Sequence, residues 1–320
     1  MANSTAPERV DYLWFPDADL VLRAENSMFR VSSGILAARS SVFRDMTTLP
    51  QPMPLEDETV DGCIVVRLHD SAAEAKCFLR AIFDSSFFMP PPSTVLLTTV
   101  IGVMRLAHKY HIPYLFRRAL SHLDVLYPTT LSEFQTSTSP FPGPFRKYHH
   151  IIPDAEPVSL VRAVSEVGAL WLLPAAYYSW INELPPSSDA FNNLQPDELR
   201  LCWAAQLQCI RAVGITYRFL RNLPGSSCNS TDCIDLICHA QDAVDHWSEL
   251  QNGNSALDLD PLGPWIFSYP SNRQLCSMCE TVGRHLFIEA QKQVWEHLPG
   301  MFALPMWKQL IEMRQKVSMD

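Results

Sequence analysis

One segment, residues 18–46, constrains the fold of this chain more than any other. It contains two short apolar runs, residues 18–22 and 28–31, separated by the polar turn Glu25-Asn26-Ser27. Two strand-length runs joined by a short polar turn predict a β-hairpin. The spacing of apolar residues then changes to that of helices over residues 35–46. We therefore predict a strand pair that leads into two short helices.

The next part of the chain adds one strand and further helices. Residues 62–68 are a β-branched run of strand length. Residues 71–74 (Ser-Ala-Ala-Glu) have capping-box spacing, in which the hydroxyl and the carboxylate satisfy free amides where a helix begins. Pro90-Pro91-Pro92 ends that helix, Ser93 or Thr94 caps the next one, and Pro113 begins the last. This order predicts an α/β fold in which a small sheet is covered by helices.

The order of these elements resembles a BTB/POZ domain over residues 19–126. Two stretches carry the likeness: Leu-Ala-Ala-Arg-Ser at 36–40, and His-Lys-Tyr-His-Ile-Pro-Tyr-Leu at 108–115, which looks like the hinge between the last two helices of that fold. The sequences of these two stretches are similar to those of fungal (basidiomycete-like) BTB/POZ proteins. The resemblance implies a module that binds other proteins and performs no chemistry.

The resemblance also implies partners. BTB domains commonly homodimerise, and some recruit a cullin scaffold to form a ubiquitin ligase. The chain departs from both patterns: the lead-in 1–17 is short for the strand and helix that the usual dimer exchanges, and residues 115–120 lack the acid of a cullin adaptor. A Pro-rich segment stands where a cullin-contacting helix pair is expected, and Ser32 stands where many BTB proteins have His.

The second half of the chain reads as helix. Residues 134–157 contain five prolines and no regular pattern, which predicts a linker. Apolar blocks at 158–167 and 170–180, a long amphipathic stretch at 197–220 and a four-residue repeat at 282–298 then predict a mostly α-helical part. We expect four parts: a lead-in at 1–17, a BTB/POZ domain at 18–133, the linker at 134–157, and a helical C-terminal domain at 158–320.

Composition excludes several classes of function. A net charge of −9 argues against a nucleic-acid surface, and no apolar run reaches the length of a membrane span. The first residues lack the apolar run of a signal peptide, so the nine cysteines are expected to be thiols or metal ligands. We therefore expect a cytoplasmic or nuclear protein with no nucleic-acid or membrane partner.

The sequence offers no catalytic or cofactor-binding residues. It contains no phosphate-binding glycine loop, no nucleophile elbow and no His-Glu-x-x-His motif. His108 and His111 lie in the hinge, where packing or polar capping is expected, and His149-His150 lies in the linker, where we expect exposure to solvent. We predict that the chain is not an enzyme.

Four cysteines form a candidate metal site. Cys228-x4-Cys233 and Cys276-x2-Cys279 each follow a turn, and helix-length sequence separates the two pairs. Such pairs are typical of a closed tetrahedral Zn²⁺ site, which stabilises a fold and leaves no open position for catalysis. Cys238 and His239 are rival ligands. Two alternatives stay open: unligated thiols in a core, or a disulfide or redox pair.

Two function hypotheses follow. In the first, a BTB/POZ domain with a helical, zinc-stapled C-terminal domain binds an unknown protein partner, with a homodimer possible. In the second, the chain is the substrate adaptor of a cullin-based ubiquitin ligase, and its C-terminal half captures the target. A transcriptional regulator is a weaker third, because neither the charge nor a DNA-reading finger supports it.

Overall fold

A computed structural model describes residues 7–48, 59–137, 150–183, 194–223, 228–245, 259–268 and 274–319. The chain divides into two compact units. The first comprises residues 1–125, 148–169 and 316–320, and the second comprises residues 126–147 and 170–315. Because a compact unit is not by itself an independently folding domain, the domain boundaries given above stay a prediction.

The strands and helices are as follows. The strands are β1 (Glu8–Trp14), β2 (Leu20–Ala24), β3 (Ser27–Val31), β4 (Thr59–Val60), β5 (Cys63–Leu68), β6 (Val95–Leu96) and β7 (Ile151–Ile152). The helices are α1 (Ser33–Arg39), α2 (Ser41–Thr48), α3 (Ala72–Phe83), α4 (Leu97–Lys109), α5 (Pro113–Leu126), α6 (Leu131–Ser137), α7 (Pro157–Glu166), α8 (Leu173–Glu183), α9 (Pro196–Thr216), α10 (Thr231–Asp245), α11 (Ser277–Met301) and α12 (Trp307–Met319).

A curled five-stranded sheet, with the order β1-β3-β2-β5-β4, forms the centre of the first unit. The predicted hairpin is β2–β3, which pairs antiparallel, and the predicted strand at 62–68 is β5, which pairs parallel with β2. Leu22 and Val21 point to opposite faces of β2 and both are fully buried. The central strand is therefore covered on both faces.

The lead-in contributes a strand of its own. β1 pairs parallel with β3 of the same chain, and Val10 and Leu13 are buried. Trp14 packs against a small cluster on one face of the sheet, and the Arg9 guanidinium lies 4.5 Å from its ring centroid. Arg9 also forms a 3.0 Å ion pair with Asp61, in the turn between β4 and β5. The lead-in thus packs on its own chain.

The helices of the first unit depart from the prediction at two points. The prediction that Pro90-Pro91-Pro92 ends α3 is wrong, because α3 ends at Phe83 with Asp84 as its C-cap residue, seven residues before Pro90. In the capping box, the Ser71 hydroxyl accepts the Glu74 amide at 3.2 Å, but the Glu74 carboxylate binds the Ser71 hydroxyl and Arg105 instead of an amide. Neither Ser93 nor Thr94 caps α4, because two residues of strand intervene. The carboxylate of Asp154 binds the amide of Thr98 in the first turn instead, at 2.9 Å.

The hinge at 108–115 has a clear structural basis. The Tyr110 ring stacks on Phe43 and Phe78, with centroid distances of 4.7 and 5.5 Å, and its hydroxyl donates to Asp70 at 2.5 Å. His111 adopts a left-handed conformation with φ of 50°, which turns the chain before Pro113 begins α5. The hinge is therefore anchored by one buried aromatic residue.

The predicted linker at 134–157 stays a prediction, because residues 138–149 lie outside the described residues. Phe134 belongs to α6 and is buried in the second unit. After the gap, β7 pairs parallel with β6, and α7 packs on α4 within the first unit. These residues are apolar on one side, so they are part of a packed unit where the proline content had predicted an irregular connection.

The prediction that His150 is exposed to solvent is wrong, while His149 lies outside the described residues. The His150 ring is buried and stacks on the buried His122, with a centroid distance of 5.6 Å. The Nε2–H of His122 donates to the carbonyl of Met89 at 2.9 Å when the ring is neutral. Burial lowers the pKa of both imidazoles below the ordinary value of 6.5.

The second unit is helical, and a buried polar network organises it. The Tyr178 hydroxyl of α8 binds the carboxylate of Asp260, and the Tyr217 hydroxyl donates to the Asp260 carbonyl at 3.0 Å. The Gln291 amide of α11 donates to the carbonyls of Pro261 and Gly263. Residues 260–263 are therefore held between three helical segments by satisfied polar groups.

The buried face of α11 agrees with the predicted repeat only in its second half. Val294 and Leu298 of the repeat are buried, but Val282 is 41% exposed, and Gly283 and Phe287 are buried in the first half of the helix instead. The helix also continues through Pro299 to Met301. Phe219 and Trp265, on neighbouring segments, pack against the side of α11 that carries Gly283 and Phe287. The spacing of apolar residues within the helix gives no information about these contacts. Within the described residues, no helix has the length and apolar character needed to cross a membrane.

Gly283→Ala should destabilise the second unit by about 1–3 kcal/mol, a typical cost of overpacking a core. A Cβ at this position would lie 2.9 Å from Leu223 Cδ1 and 3.0 Å from Trp265 Cη2. Gly214→Ala is the matched control: its Cβ would meet open space on a helix, so it should stabilise by about 0.5–1 kcal/mol. Chemical denaturation of both variants measures the difference, and equal stabilities would refute the packing described for α11.

The buried histidine pair should make the first unit less stable as pH falls from 7 to 5. A folded-state pKa below 6.5 means that the unfolded chain binds more protons in this window, so the free energy of unfolding decreases with acidification. The double variant His122→Gln, His150→Gln should show a flatter dependence. Urea unfolding at several pH values tests this, and identical slopes for the two proteins would contradict it.

Candidate metal centre and interaction surfaces

The four predicted cysteines lie at the N-terminal ends of two helices. Cys233 is in the first turn of α10, and Cys228 precedes that helix by three residues. Cys276 is the N-cap residue of α11, and Cys279 is in its first turn. Helix N-termini carry partial positive charge, which favours thiolates over thiols. The fold therefore brings all four side chains to an environment that suits metal ligands.

The sulfur atoms are close enough to bind one ion. All four Sγ atoms lie within 4.8 Å of one another, and Cys228 Sγ and Cys276 Sγ are 3.8 Å apart. A tetrahedral ion with metal–sulfur bonds of about 2.3 Å has sulfur–sulfur edges of about 3.8 Å. All nine cysteines are free thiols, so no disulfide accounts for this cluster. Its dimensions suit one tetrahedral metal ion.

The cysteines form one side of an aromatic core. Cys233 and Cys279 are buried in an apolar cluster that also contains Phe219, Trp265 and Phe287. Cys228 and Cys276 pack against the same cluster but are only half-buried. The centre therefore has an inner pair of sulfurs that is shielded from water and an outer pair that reaches the surface.

Hydrogen bonds tune two of the four sulfurs. The Cys276 amide donates to Cys233 Sγ at 3.0 Å, which orients that sulfur toward the other helix. The backbone N–H of Cys279 favours the thiolate of Cys276 and lowers the pKa of Cys276 to about 7. Burial raises the pKa of Cys233. In the absence of a cation, the thiol of Cys276 therefore ionises more readily than the thiol of Cys233.

The composition of the donor set restricts the class of metal. Four sulfurs with no carboxylate or imidazole among them disfavour Mg²⁺ and Ca²⁺, which prefer oxygen ligands. Soft thiolates favour Zn²⁺ or iron, and a site with four protein ligands leaves no position for substrate. The residues present therefore fit a structural ion, with these four cysteines as its ligands.

The rival ligands lie outside the cluster. Cys238 and His239 are both exposed on α10, and neither belongs to the sulfur group found among the described residues. Cys238 lies on the outer face of its helix, so it does not pack in a core. Cys63, Cys202 and Cys209 are buried, and Cys77 is half-buried beside Thr99.

The first unit can now be compared with known families. The family model of the BTB/POZ domain matches residues 16–126. This chain therefore carries a BTB/POZ domain. BTB/POZ domains generally mediate protein–protein interaction and often dimerise. Neither a curated protein nor a solved structure shows significant similarity to the chain.

Ser32 has a structural role in this BTB/POZ domain. Its hydroxyl accepts the amide of Ile35 at 3.3 Å and so caps α1. The adjacent Ser33 donates its amide to Asp19 at 2.9 Å, and its hydroxyl binds the same carboxylate, which lowers the pKa of Asp19. The place where many BTB proteins have His is thus filled by a helix cap and a bond that ties α1 to the hairpin.

Two features change which surfaces of the domain are free. β7 pairs with β6, and α7 packs on α4, where Glu166 forms a 2.8 Å ion pair with Arg105. β1 lies at one edge of the sheet and presents Glu8, Arg9, Asp11 and Tyr12 to solvent. Charged residues on an edge strand discourage pairing with a further strand. One face is therefore covered by later residues of the same unit, and one edge is protected by charge.

Sequence reasoning found the four cysteines but missed their surroundings. The Cys276 amide that binds Cys233 Sγ, 43 residues away in the chain, carries no sequence signal. It also missed the His122–His150 pair, because the two residues are far apart in the chain and one lies in a proline-rich segment. Contacts of this kind depend on tertiary packing, which spacing alone does not reveal.

Proposed function

We propose that this chain is a non-enzymatic protein that binds an unidentified protein partner through its BTB/POZ domain. The single observation that carries the proposal is the match of the BTB/POZ family model to residues 16–126. The sequence contains none of the catalytic motifs considered above. The nine cysteines form no disulfide, which suits a reducing compartment, so we place the protein in the cytoplasm or nucleus. The net charge of −9 favours a protein partner over a nucleic acid or a membrane surface. The likeness to fungal BTB proteins rests on residues 36–40 and 108–115 alone and stays a prediction.

The concave surfaces of the second unit support a non-enzymatic role. Two adjoining concavities, of about 260 and 190 Å³, lie beside Tyr217 and Val244. An ion pair of 3.3 Å between Arg221 and Asp245 spans them, and no Ser, Cys or His is among their lining residues in the described part of the chain. The carboxylate among their lining residues, Asp245, is ion-paired with Arg221, and no histidine or thiol among the described lining residues stands beside it to complete a nucleophile–base pair.

We assign the four cysteines to a structural Zn²⁺ site. The support is the 3.8 Å spacing of Cys228 Sγ and Cys276 Sγ, which matches the edge of a tetrahedral zinc-thiolate site. Bound zinc would link the start of α10 to the start of α11. Its contribution is then to the stability of the helical part that accompanies the BTB/POZ domain.

Purified protein should contain about one zinc ion per chain, and Cys276→Ser should lose it. Loss of a structural ion should also lower the free energy of unfolding by more than about 3 kcal/mol. Cys238→Ser is the matched control, because Cys238 lies outside the sulfur cluster and should keep both zinc and stability. Elemental analysis and chemical denaturation measure the two effects, and equal zinc content in both variants would refute the assignment.

A cullin adaptor is the alternative function. The resemblance to BTB domains supports it, but residues 115–120 carry Arg117 and Arg118 and no acid. In addition, the helix that follows the gap, α7, packs on α4. Strand exchange in a homodimer would require β1 to leave its pairing with β3 of its own chain, and its lead-in of 17 residues is short for the exchanged strand and helix. We therefore place a partner other than a cullin or a second copy first.

The partner hypotheses separate in two solution experiments. Mixed with a purified cullin N-terminal domain at micromolar concentration, the chain should form no complex that survives gel filtration, because the acidic motif is absent. Light scattering of the chain alone should give the mass of one copy. A stable cullin complex would favour the adaptor, and proximity labelling that returns no reproducible protein partner would contradict the interaction proposal itself.

A further inference from the structure

The two halves of the cysteine cluster differ in their access to solvent. Cys233 and Cys279 have 0% and 1% of their surfaces exposed, whereas Cys228 and Cys276 are half-buried. The two sulfurs of the half-buried pair lie 3.8 Å apart. The sulfurs that a small solute can reach are therefore already neighbours.

We propose that Cys228 and Cys276 are an oxidation site for hydrogen peroxide, at which they form a disulfide and release the bound metal. This inference rests on the zinc site proposed above and concerns its regulation. The inner pair, Cys233 and Cys279, stays reduced because the aromatic core shields it.

The chemistry is a balanced two-electron oxidation. The thiolate of one outer cysteine attacks a peroxide oxygen, the O–O bond breaks, and a sulfenic acid and hydroxide form. The thiolate of the second outer cysteine then attacks the sulfenic sulfur, so that the S–S bond forms and the S–O bond breaks with loss of a second hydroxide. Two thiolates lose two electrons, one peroxide gains them, and two solvent protons convert the hydroxides to water.

The geometry explains why the outcome would be a reversible switch. A disulfide bond is about 2.05 Å long, so the two sulfurs must close by less than about 2 Å from their present separation. Two remaining thiolates are too few to hold the ion tightly. The new bond still joins the start of α10 to the start of α11, so the helical part keeps a covalent link in place of the metal. A thiol reductant with added zinc would restore the first state.

Treatment of zinc-loaded full-length protein with one equivalent of hydrogen peroxide per chain tests the inference. Zinc release is followed with a colorimetric chelator, free thiols are titrated after denaturation, and disulfides are mapped by mass spectrometry. We expect zinc release in step with the loss of two thiols, from nine to seven, and a peptide that joins Cys228 to Cys276. Cys238→Ser, which removes the exposed thiol outside the cluster, should show the same release, with eight thiols falling to six.

Two results would overturn the inference: retention of zinc while Cys238 is oxidised, or a disulfide that involves Cys233 or Cys279. Zinc content before oxidation is measured separately. If the untreated protein holds no zinc, the zinc assignment fails, and the position of the disulfide alone then decides whether the outer pair is the oxidation site.

Discussion

Four sulfur atoms within 4.8 Å of one another restrict how many of them can be ionised at the same time. Two thiolates at the 3.8 Å separation of Cys228 and Cys276 repel each other by about 4 kcal/mol at an effective dielectric constant of about 20. Helix N-termini and the backbone N–H of Cys279, which favours the Cys276 thiolate, reduce this repulsion but do not reverse its sign. The cluster therefore requires either protons or a cation, and a divalent soft cation satisfies all four sulfurs at once.

Two helices of the second unit, α10 and α11, carry the cysteines near their N-terminal ends, and the contacts of α11 fix its position in the core. Gly283 lets α11 pass close to Trp265 and Leu223, and Gln291 on the same helix holds the carbonyls of residues 260–263. The BTB/POZ domain relies on different physics: a central strand that is buried on both faces, and a hinge anchored by Tyr110. One part of the chain is stabilised mainly by apolar packing around a sheet, and the other combines an aromatic core with a buried polar network.

Sequence reasoning reached the fold of the first unit because periodicity and turn residues are local. The hairpin around Glu25–Ser27, the strand at 62–68 and the helix beginning at Pro113 all follow from spacing and are present in the structure. The start of α4 was not predictable, because its first-turn amide is satisfied by Asp154, more than fifty residues away. His150 failed for the same reason, since its burial depends on a distant histidine. The cysteine pairs were visible because chelating spacing is local, whereas their exposure was not.

X-ray absorption spectroscopy of the purified full-length protein, at the zinc and sulfur K-edges, tests the central claim most directly. It reports which atoms bind the ion, and not only how much of the ion is present. The account predicts one zinc ion per chain with four sulfur ligands at about 2.3 Å and no nitrogen or oxygen in the first coordination sphere. A protein that carries no zinc, or zinc bound by nitrogen and oxygen donors, would contradict the assignment to Cys228, Cys233, Cys276 and Cys279.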